Sequence, residues 1–156
     1  MFIDRAWVQK NNNIPHFSNV IKNVDKNEGV EITMNCNSDA FKWIIDFVKI
    51  KTDGDETKEE LLKKNKFTNN AVLEENDDQT DSNLYEKMDE ITNDNCLNIM
   101  VTAYFLQLQW VYRKVWDYYF KRNFSEVINK CKISLSNINP VIIQHIATRI
   151  SDMQLE

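Results

Sequence analysis

Two glycines, Gly29 and Gly54, and two prolines, Pro15 and Pro140, are all that this chain of 156 residues contains. Backbone positions with positive φ fall to glycine, and tight β turns to glycine and proline. A sandwich of many hairpins is therefore disfavoured. Neither G-x-G-x-x-G nor G-x-x-x-x-G-K-[ST] can be written with these two glycines, so phosphate loops and a doubly wound dinucleotide fold drop out. Apolar residues make up 42% of the chain, enough for a core. Few breakers and many apolar residues predict one mostly helical domain.

Cys36, Cys96 and Cys131 are odd in number and far apart. No apolar run approaches the ~18 residues of a membrane span, and nothing before Asp4 reads as a signal peptide. Free thiols and an intracellular place, cytoplasmic or nuclear, are expected, with no membrane.

Composition changes twice along the chain. Apolar residues recur regularly over 1–50. Over 51–90 they thin out, and thirteen acids face six lysines. From 91 to 156 apolar residues dominate again. The net charge of -5 thus sits in the middle stretch. Such a stretch buries too little apolar surface to offset its ordering entropy and reads as a flexible acidic insertion, with short helices over 58–64 and 84–91. A docking tail for a basic partner is the alternative. The segments on either side read as the two parts of a single domain.

Val30, Ile32 and Met34 alternate with polar residues, the period of a half-buried strand over 30–35. Ser38 can cap the helix that follows, with Asp39 in its first turn. Phe41, Ile44, Ile45 and Val48 form one face of that helix, widened by Trp43 and Phe47. Asn93 or Asp94 can cap a helix bearing Leu97, Met100, Val101, Tyr104 and Phe105. A further helix over 110–122 presents Val111, Val115, Tyr118 and Tyr119 inward. Residues 124–130 read as a short helix. Asn139-Pro140 starts a last one, which carries Ile142, Ile143, Ile146 and Ile150. Phe17, Val20 and Ile21 make a shorter amphipathic turn after Pro15. The fold class expected is mostly α with a small β component: a helical cluster with a short sheet.

Catalytic, cofactor and metal sites are not expected. His16 and His145 are too few for a histidine-based site, and His145 reads as a helix-flank residue with a local hydrogen bond. The three cysteines and two histidines have no close pairs of the kind a zinc site needs. Paired carboxylates occur only in the insertion, where no burial would raise a pKa. An isoelectric point near 5.1 disfavours nucleic acid, although Arg113, Lys114, Lys121 and Arg122 interleave with Trp116 and Tyr118. Of the four tryptophans, Trp43 is the best core candidate. Trp7 and Trp116, beside polar neighbours, are the best interface candidates.

Several stretches in order carry a resemblance. They are Phe2-Ile3-Asp4-Arg5, then Pro15-His16-Phe17, Val30-Glu31-Ile32-Thr33, Ala40-Phe41-Lys42-Trp43-Ile44-Ile45-Asp46-Phe47-Val48, Ala103-Tyr104-Phe105-Leu106-Gln107-Leu108, and Asn123-Phe124. Together they resemble the BTB/POZ domain family, and within it the SANT and BTB domain regulator of class switch recombination family. The family opens with a strand pair ahead of an F-x-x-H-R stretch. This sequence starts at that stretch and has Asp4 in place of the histidine, so the resemblance implies a domain with its beginning missing and the 30–35 strand left as an open edge.

The resemblance implies a non-catalytic, homodimerising adaptor that recruits partners such as a cullin ubiquitin ligase scaffold or transcriptional regulators. Positions matching the family's dimer contacts are Ile3, Arg5, Ala6, Trp7 and Lys10. Positions matching its partner contacts are near Asp46, Lys49, Tyr112 and Trp116. Two other classes stand beside it: a structural subunit of a larger assembly, and a small enzyme with the insertion as a lid.

Overall fold

The computed structural model describes residues 14–21, 36–65, 77–131, 133–134 and 138–155. The helices are α1 (Pro15–Ile21), α2 (Ser38–Asn65), α3 (Asp77–Asp89), α4 (Cys96–Phe105), α5 (Gln109–Val115), α6 (Phe124–Lys130) and α7 (Pro140–Leu155). One π-helical turn, Trp116–Phe120, continues α5. No strand is found among the described residues. The α+β class with a short sheet is thus corrected to a helical one: every described element satisfies its backbone internally, as a helix does. The strand expected over 30–35 lies outside the described residues.

The first long helix does not stop at residue 50. It runs for 28 residues, Ser38–Asn65, about 42 Å at the helical rise. The expected cap is also displaced by one position. Asn37, not Ser38, caps it: the Asn37 Oδ1 accepts from the backbone N–H of Asp39 at 3.1 Å and of Ala40 at 2.9 Å. Asp39 does lie in the first turn. The apolar face expected here is buried in full, with Phe41, Trp43, Ile44, Ile45, Phe47 and Val48 all in the core. Thr52 is buried as well, and its hydroxyl donates to the Val48 carbonyl at 2.8 Å.

The helix α2 is the central element, packing on α3 and α4, while α4 packs on α5. Two contacts fix α3 on α2. The Trp43 Nε1 donates to the Lys87 carbonyl at 3.2 Å. The Lys87 ammonium lies 3.8 Å from the Asp46 carboxylate and 2.8 Å from that of Glu90. From α1, Phe17 is buried and meets Phe41 edge to face at 6.0 Å.

Asn95 stands at the N-cap of α4 without a side-chain bond into the helix. Its Oδ1 instead accepts from Thr92 N–H at 2.8 Å, and its Nδ2 donates to the Glu90 carbonyl at 3.1 Å, so it holds the preceding turn. On α4, Leu97 and Met100 are buried as expected, but Phe105 is 42% exposed.

The π turn re-indexes the next helix. An uninterrupted α-helix would carry the inward stripe from Val111 and Val115 to Tyr118 and Tyr119. The wider turn delays it by a residue, and Phe120 is the next side chain in the core, fully buried. The Lys121 N–H donates five residues back, to the Trp116 carbonyl at 2.9 Å, the spacing of a π bond. The helix of 124–130 forms as expected. Asn139 caps α7, accepting from Val141 N–H at 2.9 Å, with Pro140 as its first residue.

Candidate interaction surface

The sequence around the π turn places aromatic residues four apart, and the fold joins them into a row. Tyr104 and Tyr112 meet with ring centroids 6.0 Å apart. Tyr112 stacks on Trp116 at 6.1 Å, Trp116 lies 4.8 Å from Phe120, and Phe120 meets Phe124 edge to face at 5.3 Å. His145, on α7, closes on this row from outside. Its Nδ1 is 2.9 Å from the Tyr112 hydroxyl, and its ring centroid is 5.9 Å from those of both Tyr112 and Trp116. The His145 hydrogen bond is therefore not local: its partner is 33 residues away. Burial, with a smaller contribution from Tyr104, pushes the Tyr112 phenol up to about 12. It remains a neutral hydrogen-bonding group through the physiological range.

Of the expected partner contacts, Tyr112 and Trp116 come together in this row. Tyr112 is 4% exposed and acts as its floor, whereas Trp116 is half-buried and reaches the surface. Asp46 and Lys49 sit on α2. Asp46 is half-buried beside Lys87, and Lys49 is exposed. The expected dimer contacts Ile3, Arg5, Ala6, Trp7 and Lys10 lie outside the described residues.

The helix α7 adds apolar surface that the sequence pattern assigns to the core. Ile142 and Ile146 are buried, but Val141, Ile150 and Met153 are each about 40% exposed. Val141 lies one turn before His145, on the same side of the helix. None of the described side chains after Ile146 on this helix is buried. Ile143, Ile146, Ile150 and Met153 follow the 3-4-3 spacing of a helix-pairing seam, whose first half docks and whose second half is open.

A second stack lies on α2. Trp43 and Phe47 are parallel at 4.9 Å, Phe47 and Trp110 at 5.6 Å, and the Lys51 ammonium sits 4.2 Å over the Trp110 ring. It is closed at both ends, by the Lys87 carbonyl and by Lys51, and is structural. The tyrosines of the π turn are used in the same way. Tyr118 donates to the Asp89 carboxylate, a bond that is the main cause of its raised pKa, and Tyr119 donates to the Asn93 Oδ1 at 2.9 Å. The basic residue Arg122 lies over Tyr118 at 6.0 Å.

All three cysteines are free thiols. Cys96 is buried, and desolvation drives its pKa to about 12; burial raises that of Cys36 too. Among the described residues no group of three or more metal-binding side chains occurs, and no helix is long and apolar enough to cross a membrane. What the arrangement can do is present an indole, an imidazole and, one turn before the imidazole, the Val141 side chain, which is recognition by contact. The Tyr112–His145 pairing and the exposure of Val141 were not legible in the sequence. The i, i+4 spacing of Tyr112, Trp116 and Phe120 was the available signal for the row. No known protein family, curated protein or solved structure matches this chain.

Proposed function

We propose that this chain is a helical protein-interaction domain rather than an enzyme, and that it binds a protein partner through exposed side chains of α7 together with Trp116, which His145 of that helix touches. The carrying observation is the exposure of Val141, Ile150 and Met153 on the helix that also brings His145 against Trp116. Exposed apolar side chains gathered on one helix are the raw material of interaction sites, and tryptophan is the side chain most enriched among interface hot spots. The three free thiols fit a reducing intracellular compartment, cytoplasmic or nuclear. Homodimerisation is one form of the proposal. Recruitment of a cullin scaffold or of transcriptional regulators came from a family whose fold includes a sheet, and the helical architecture lends it no support.

The test compares the wild-type chain with Trp116→Ala and with the double variant Ile150→Asp/Met153→Asp, each first checked for native helicity by circular dichroism. Sedimentation velocity across a wide concentration range reads self-association. Quantitative affinity capture from cells reads other partners, with Lys121→Glu as a control elsewhere on the surface. The expected result is a concentration-dependent mass, or a captured protein, that both face variants lose and the control keeps. Identical mass and identical capture for all four proteins would overturn the proposal.

A further inference from the structure

We draw no further inference here: the strongest candidate, the cavity of about 100 Å³ between α4 and the end of α6, lined by Leu97, Val127 and Cys131, carries nothing because it rests on a lone cysteine and no second feature of the cavity points to a ligand.

Discussion

Replacing Gln107 with glycine should stabilise this protein. Gln107 has φ 61° and is the one non-glycine residue with positive φ among those described. The reason is the way α4 ends. The Leu108 N–H donates to the Ala103 carbonyl at 2.9 Å, and the Gln107 N–H to the Tyr104 carbonyl at 3.0 Å. These are the two reversed bonds of a Schellman ending, with Leu106 as the C-cap residue and Gln107 in the left-handed position where glycine is usual. Leu108 and Ala103, the apolar pair that accompanies the motif, are both buried. A side chain with a Cβ in the left-handed region costs roughly 1–2 kcal/mol. Glycine removes that strain but gives back about 0.5–1 kcal/mol through the entropy of the unfolded chain. The net gain is then about 0.5–1 kcal/mol. For a chain of this size that is about 1–4 °C in melting temperature. Urea denaturation followed by circular dichroism, on Gln107→Gly, Gln107→Ala and Gln107→Val, checks it. The expected order of stability is glycine first, glutamine and alanine about equal, and β-branched valine last. Glycine no more stable than glutamine, or valine equal to glutamine, would refute the assignment of strain to this residue.

Asn37→Ala should cost about 1 kcal/mol of stability, because two helix-start N–H groups lose their acceptor, while Ser38→Ala should cost almost nothing; equal costs in a urea titration would count against the observed cap. A double-mutant cycle on Tyr112→Phe and His145→Ala should return a coupling of about 0.5–1.5 kcal/mol, and a coupling of zero would dissolve the link between α5 and α7. With its pKa raised from 9.0 to about 12, Cys96 carries roughly a thousandfold less thiolate than an ordinary cysteine at mildly alkaline pH. A maleimide should therefore label it only after unfolding, and peptide mass spectrometry that finds it labelled as fast as Cys131 in the native protein would contradict its burial. The unfolded chain releases the Cys96 and Tyr112 protons from their ordinary values of 9.0 and 10.0, the folded one only near 12. The folded state then holds more protons, so stability should fall as pH rises through that window; an unchanged denaturation midpoint there would argue against both assignments.

Periodicity located the buried faces of α2 and of the first half of α7. Phe41 to Val48 on α2 and Ile142 with Ile146 on α7 needed only spacing, because burial on one side of a helix repeats every 3.6 residues. At Tyr118 and Tyr119 the same reasoning held only in part: both pack against the core but stay half-buried, since one extra residue in the π turn changes the phase of every position after it. Nothing in Trp116-Asp117-Tyr118-Tyr119-Phe120 taken alone announces that insertion. Cap assignment erred between adjacent polar residues. Asn37 and Ser38 are both good caps by propensity, and the geometry of the preceding turn decides between them. The thinning of apolar residues after Lys51 concealed the continuation of α2, because a helix can proceed on polar side chains once its first half is docked.

The interaction face was only partly legible for a related reason. Tyr112 and Trp116 were candidates from the sequence, but which of them faces outward depends on what lies above them. That covering element is α7, and its His145 comes from 33 residues further along. Ile150 shares a stripe with Ile146, yet Ile146 is buried and no described side chain after it on α7 is, so position along the helix decides its exposure. The π turn completes the arrangement. By drawing Phe120 inward it leaves Tyr118 and Tyr119 at the side, where their hydroxyls are spent on Asp89, the last residue of α3, and on Asn93 in the connection to α4. The tyrosine ends thus fasten the fold, and Trp116 with His145 is the aromatic pair of this row that retains surface for a partner.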